Sequence, residues 1–374
     1  MTPHGSKLKP LPWLAEPKHA ARSPSAHLRI LVAATALLAS ALQAGCQSGG
    51  PGGQMLNRRS TMPAGLSSAA LRRIAADKLD VVPMTDSVGQ KGFLLSAGPY
   101  RIFTDIKNPL QQRLIMRVLT HALCRFRALI PSARLHPPLR GYIFAHRRQW
   151  AIFTRNMMPT VAPYALHPMV YGYDHKGVFA LHRTSVPTML SVLAHEAWLQ
   201  FSYVSLKDHL PAWMDEGLAA QFEAVCWRHG KPKFIATLNY PRWLALRAVC
   251  RAGDFIPLHI FTRMDAGAAI ATGPRMTEIY YAQLWSMMLF ITQHDGWGVI
   301  KRALHSSEMG RLTPVMLKAG LSPYDLSHET TRWNMVAGPI YFHRFISCYP
   351  RQFAAQYHAF ARSLAAHWPP RIAH

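Results

Sequence analysis

The chain has 374 residues and is 49% hydrophobic, which suits one large or two modest domains with a real core and excludes an intrinsically disordered protein. Its 42 Lys and Arg against 18 Asp and Glu give a formal net charge of +24, so an anionic partner is expected: nucleic acid, phospholipid headgroups or a polyanionic envelope polymer. The basic residues lie scattered, in short clusters such as Arg58-Arg59, Arg72-Arg73 and Arg147-Arg148, and no nucleic-acid-binding motif surrounds them, which disfavours nucleic acid.

Residues 1–29 carry Lys7, Lys9, Lys18, Arg22 and Arg29 against the single acid Glu16. The apolar run Ile30 to Leu42 follows and ends in Ala44-Gly45-Cys46. A basic start, a short apolar stretch and a small-residue ending form the layout of a secretory signal. The run is 13 residues long, whereas crossing about 30 Å of hydrocarbon takes about 20 helical residues, so removal is expected over retention. The ending resembles a bacterial lipobox, in which the cysteine is acylated, although Gln43 stands where leucine is preferred and Leu42 sits one step early. Cys46 is therefore the candidate lipidation site, residues 1–45 the signal peptide, and the location extracytoplasmic, tethered to a bacterial membrane. From residue 46 on, the chain keeps 37 basic and 17 acidic residues, a net +20, so the basic character belongs to the folded part. Cys124, Cys226, Cys250 and Cys348 allow up to two disulfides there or remain as buried thiols. The absence of any Cys-x-x-Cys pair disfavours a cysteine zinc site.

Residues 46–67 turn to Gly, Ser, Pro and Arg and read as a flexible tether, and a single folded domain is expected over 68–374. Tyr100 to Ile106 alternates like a strand; Asn108-Pro109 then supplies an N-cap and a first-turn proline for a helix to Leu129. Gly141 to Ala145 reads as a strand and Gln149 to Arg155 as a short helix. Tyr171 to His182 reads as a hairpin turning at Asp174-His175-Lys176-Gly177. Later helices are expected at Pro211 to Trp227, Arg242 to Arg251, Pro257 to Met264, Tyr280 to Thr292 and Pro350 to Ala366. With the strands before about residue 184 and helices from about 185, the fold class is α+β rather than alternating βαβ units.

Between Thr184 and Phe222 lies the stretch that carries chemistry. Ser185 or Thr184 can cap a helix with Pro187 in its first turn, and Met189, Leu190, Leu193, Ala194 and Ala197 give it apolar faces. Within it stands His195-Glu196-Ala197-Trp198-Leu199. In a His-Glu-x-x-His helix, residues i and i+4 share one face, so two imidazoles reach one zinc ion while the adjacent glutamate polarises its bound water. Here the second histidine is Leu199, which can donate nothing to a metal, and Gln200 sits about 100° around the helix from the required face.

Taken with Leu210-Pro211-Ala212-Trp213-Met214-Asp215-Glu216-Gly217-Leu218-Ala219, the segment Leu193 to Gln200 resembles the gluzincin branch of metallopeptidases, and more narrowly the peptidase-MA-like bacterial proteins. The likeness extends loosely to Gly141-Tyr142-Ile143-Phe144, to Trp150 and to Tyr281-Ala282-Gln283-Leu284-Trp285. It implies a zincin-like fold in which the edge strand of a small twisted sheet borders a cleft beside the His195 helix. It also implies a zinc-dependent hydrolase acting on polypeptide, with His195 and Glu216 as metal ligands and Glu196 as the catalytic base. Tyr281 is the candidate oxyanion donor, although its helix, with Leu284, Met288 and Phe290, equally makes it a core aromatic. Two protein ligands fall short of the three that catalytic zinc sites use, so zinc binding is expected to be weak or absent and catalysis is in question. His209, in the loop before Leu210, supplies a third ligand only if that loop folds back over the cleft. Asp215 either orients a ligand or complements the helix dipole, and His167, His175 and His182 fall near the edge strand without a motif of their own. The alternative reading is a non-catalytic relative that binds a peptide or an anionic envelope component.

Overall fold

The computed structural model describes residues 66–135, 138–328 and 331–369; Cys46, the leader-like segment and the tether up to residue 65 lie outside them. After α1 (Ser68–Ala76) come β1 (Asp80–Thr85), β2 (Lys91–Ala97) and β3 (Tyr100–Thr104), then α2 (Pro109–Leu129), β4 (Leu139–Phe144), α3 (Arg147–Met157) and the single turn α4 (Ala162–Ala165). The hairpin β5 (Gly172–His175) and β6 (Val178–His182) leads into α5 (Val186–Ser205) and α6 (Ala212–Ala220). A second hairpin, β7 (Val225–Arg228) and β8 (Lys231–Phe234), precedes α7 (Tyr240–Ala252), α8 (Leu258–Phe261), α9 (Ala266–Thr272) and α10 (Pro274–His294). The rest is helical: α11 (Trp297–Glu308), α12 (Thr313–Lys318), α13 (Pro323–His328), α14 (Thr331–Tyr341) and α15 (Pro350–Ala366).

The six-stranded sheet runs β1-β2-β3-β4-β6-β5, with β3, β4 and β6 parallel and both ends antiparallel. The molecule is thus α+β with a mixed sheet, but its centre is a βαβαβ unit in which α2 and α3 make the crossovers, a local alternation that the strands-then-helices pattern did not suggest. Asn108 caps α2 by accepting from the amides of Leu110 and Gln111, and Ser185 caps α5 by accepting from Thr188, so both helices begin where a polar side chain can satisfy the free amides. The sheet has two dressed faces. Tyr142, Phe144, Tyr173 and His182 point to α3: Tyr142 lies 4.2 Å from Phe153 by ring centroids, His182 4.9 Å from Trp150, and Tyr173 shares a hydrogen bond with Thr154. The alternate residues face α2 and α5, and Gly172 on β5 meets Glu196 and Val192 so closely that a Cβ would lie 2.8 and 2.9 Å from them.

α5 is buried nearly all round, and its rings knit it to its surroundings: Trp198 stacks on Phe222 and meets Phe126 edge-on. The expected helix Pro211 to Trp227 is corrected by the structure. α6 stops at Ala220, where the Gln221 side chain donates to the carbonyls of Gly217 and Trp285, and the β-forming Val225-Cys226-Trp227 pairs instead with β8. His229 and Gly230, at φ of +51° and +75°, close that hairpin as Lys176 and Gly177, at +51° and +75°, close β5–β6. Among the described residues no disulfide joins Cys124, Cys226, Cys250 and Cys348 to one another. Among the described residues no helix is long and apolar enough to cross a membrane.

The position of α6 depends on a backbone approach at Gly338 in α14, whose carbonyl accepts from the Trp213 indole at 3.2 Å. A Cβ there would lie 1.7 Å from the Thr262 carbonyl oxygen, so Gly338→Ala is expected to push α14 away and to lose about 1–3 kcal/mol, as overpacked sites do. Urea unfolding checks this; a midpoint unchanged from the parent would contradict so close a contact.

Candidate functional site

The site forms where α5 and α6 meet under the bend 221–224. α5 sends three side chains to one side: His195, and one and two turns on Trp198 and Ser202, which donate to the two oxygens of Asp215 at 2.8 and 3.0 Å. Asp215 stands in the first turn of α6, where its charge complements the helix dipole, and it is buried and bolts α6 to α5. That bolt sets Glu216 against His195, with Nε2 3.0 Å from Glu216 Oε2. The opposite ring nitrogen, Nδ1, lies 2.9 Å from Glu223 Oε1. Glu223 is held in turn by Arg242, whose guanidinium forks onto both its oxygens at 2.9 and 2.7 Å, and by the Asn239 amide at 2.7 Å. Tyr281 lies edge-on to His195 at 6.5 Å and under Arg242 at 4.7 Å.

The sequence-derived residues His195, Glu216 and Tyr281 are thus brought together, and Glu196 lies beside them on the strand-facing side of α5. Glu223, Asn239 and Arg242 carry no motif in the sequence and join the group only in the fold. The only signal for Glu223 was its spacing of seven from Glu216, two helical turns that here end in a bend instead. His209 stays out of the group: its ring stacks on Tyr203 at 5.0 Å and its carbonyl accepts from Tyr341. Gln200 turns to the sheet, donating to the carbonyls of Arg140 and Gly177. His182 lies against Arg147 and Trp150, on the far face.

The electrostatics follow from burial. An imidazole that meets a carboxylate at each nitrogen donates at both only when it carries two protons, that is, as the imidazolium. Burial opposes that charge, but the hydrogen bonds and charges of Glu216 and Glu223 outweigh it and hold the His195 pKa above its ordinary value. For Glu223 too burial works against the ion, and the charge of Arg242, with hydrogen bonds from His195 and Arg242, brings its pKa far below the usual carboxylate range. Glu196 is the opposite case. It is fully buried, neither oxygen has a hydrogen-bond partner, and burial together with the charges of Asp174, Glu216 and Glu223 pushes its pKa well up. The cluster thus sets His195 and Arg242 against Glu216 and Glu223, while the surroundings of Glu196 favour its neutral form.

His195 and Glu216 are two protein donors where a catalytic zinc site uses three. Leu199, where the third ligand would stand, is sealed in the apolar core, and among the described residues no group of three or more His, Cys, Asp and Glu is arranged to hold a metal ion. Two atoms sharing a tetrahedral zinc at about 2.0–2.2 Å would lie roughly 3.3–3.5 Å apart, whereas His195 and Glu216 stand at a hydrogen-bond separation of 3.0 Å. His195 and Glu196 also expose none of their surface, so no substrate reaches them in this conformation. Comparison with protein-family models, with curated proteins and with solved structures finds no match to this chain.

Two outcomes follow from the cluster. Arg242→Leu strands Glu223 as a buried charge and is expected to lower unfolding free energy by about 3–5 kcal/mol, while adding Glu223→Gln restores part of that loss; additive losses in urea unfolding would contradict the coupling. For Glu196 the folded-state pKa lies above that of the unfolded chain, about 4.3, so its contribution is present below that pH and is lost as pH rises toward the folded value. Glu196→Gln is therefore expected to melt at a higher temperature than the parent at pH 8 and level with it near pH 4. A parent that gains on the variant as pH rises would overturn the assignment.

Proposed function

We propose that this protein is an exported, membrane-tethered, zincin-like peptidase relative that does not hydrolyse, its metal-centre position being held instead by a protonated histidine. The observation that carries this reading is the engagement of both His195 nitrogens by Glu216 and Glu223. A zinc ligand must offer a lone pair from a neutral ring, and neither nitrogen here is turned to a vacant direction. The zincin-like part rests on arrangement: an antiparallel edge strand, β5, lies along the helix carrying His195 and Glu196, and a following helix delivers Glu216. Zinc, were it bound at His195 and Glu216, would supply Lewis acidity and an activated water; the side chains present lack the third donor for it.

Of the two ligand classes open to such a protein, the anionic envelope component is favoured over polypeptide. A peptide substrate would pair along β5, and Gly172, Tyr173 and Asp174 are buried there. The net +20 of residues 46–374 suits an anion instead. Cys46 remains the proposed site of acylation.

Metal analysis tests the central point. Protein purified without chelator is expected to hold far less than one zinc per chain and to melt at the same temperature with chelator present, and Leu199→His, which supplies the missing imidazole, is expected to approach one zinc per chain. Stoichiometric zinc in the parent, with peptide hydrolysis abolished by chelator, would sink the reading. A Leu199→His variant that folds yet takes up no zinc would remove the argument for peptidase ancestry.

A further inference from the structure

Most of the positive charge is spread over the molecule, but on one face three separate elements combine theirs. Along α2, Arg113, Arg117, His121 and Arg125 recur every four residues and form one stripe. Arg117 links that stripe to its neighbours: it pairs with Asp77 just beyond α1 and donates to the Gly230 carbonyl at the β7–β8 turn, 2.6 Å away. Gly230 in turn lies against Ala70 of α1, where a Cβ would stand 3.6 Å from that of Ala70. The α1 helix, the stripe of α2 and the β7–β8 turn are therefore one continuous surface. Its exposed cations include Arg72, Arg73, Arg125, Arg228, Lys231 and Lys233, and Asp77, the acid bound into it, is already paired with Arg117.

The same face is where the described chain begins, with Leu66 and the Ser67 cap leading into α1. From Cys46 to residue 65 there are 20 residues of Gly-, Ser- and Pro-rich sequence. On the tethered reading proposed above, those residues join an acylated Cys46 to Leu66 on this face and reach at most about 70 Å, which raises the local concentration of any weak contact made there.

We propose that this face, formed by α1, the outward stripe of α2 and the β7–β8 turn, seats the domain on anionic phospholipid of the membrane that anchors it. The proposal rests on the tethered reading above for its geometry, while the charge arrangement stands apart from it. Each Lys or Arg close to such a surface improves partitioning by about fivefold, so a group of six is ample even after salt screening.

Cys124 supplies a reporter, since it is exposed on α2 beside Arg125, whereas Cys348 is exposed just before α15. Full-length chains with Cys46→Ser and Cys250→Ser, retaining either Cys124 or Cys348, are labelled with a fluorophore and mixed with vesicles carrying a lipid-borne quencher. With phosphatidylglycerol vesicles at low salt the Cys124 label is expected to be quenched several-fold more than the Cys348 label. That difference is expected to vanish with phosphatidylcholine, at 0.5 M salt, and when Arg125→Glu, Lys231→Glu and Lys233→Glu are combined; the equal-charge set Lys301→Glu, Arg302→Glu and Lys318→Glu is expected to leave it in place. Quenching at Cys348 equal to that at Cys124, or equal losses from both charge sets, would overturn the assignment of this face. Protection of Cys124 by soluble polyphosphate with no quenching by anionic vesicles would overturn the assignment to lipid. Acylation is read separately from the mass of chain recovered from bacterial membranes, so an unacylated chain still quenched at Cys124 would retire only the tether.

Discussion

The arrangement around His195 depends on one buried cluster: an imidazole that meets a carboxyl group at each nitrogen, with one of those carboxyl groups clamped by a guanidinium. It is the point where several elements converge. His195 comes from α5, Glu216 from α6, Glu223 from the bend that ends α6, and Arg242 from α7, with Tyr281 of α10 closing the far side. Buried charges of this kind contribute little net stability when complete, because desolvation offsets most of the attraction. They act instead by exclusion: any packing of these helices that separates one member leaves an unpaired charge in the core, at a cost of several kcal/mol.

That selectivity matters for α5, which has almost no polar face of its own. An amphipathic helix is oriented by the contrast between core and solvent, but α5 is buried from Val186 to Ser202 nearly without interruption, so hydrophobicity alone leaves its rotation weakly specified. The polar side chains supply what is missing. His195 fixes one direction, Trp198 and Ser202 fix the next through Asp215, and Gln200 fixes the sheet side by donating to two carbonyls at 2.7 Å each. Leu199 lies between these directions and is free to be purely apolar.

How much of this was legible in the chain follows from how local each signal is. α2, α15 and the β5–β6 hairpin are set by caps, prolines and a Lys-Gly turn lying within a few residues of one another, and they stand where those signals put them. The β7–β8 hairpin uses the same backbone turn at His229-Gly230, but His-Gly is a weaker signature, and the preceding Ala-rich helix pattern runs straight into it. The β1–β2 hairpin was missed because its residues are half exposed and carry no clean alternation. In the site, His195, Glu196 and Glu216 could be placed from spacing on two helices. Glu223, Asn239 and Arg242 could not, because their meeting is a property of the tertiary path after Ala220 and not of any repeat in the sequence.

The identity of Leu199 then ties charge to chemistry. A proton on His195 and the charge of Arg242 together offset the two carboxylates of Glu216 and Glu223, whereas a divalent metal added beside Arg242 would leave the group one positive charge in excess. Once the proton is there, His195 has no lone pair to give, and Glu196, with no cation beside it, is cheaper to bury neutral than ionised. A neutral carboxyl is a poor proton acceptor, so on the proposed reading Glu196 would not activate a water. Leu199, one turn on from His195, is sealed in the core, where a hydrocarbon side chain adds packing and an uncoordinated imidazole would add an unsatisfied polar group.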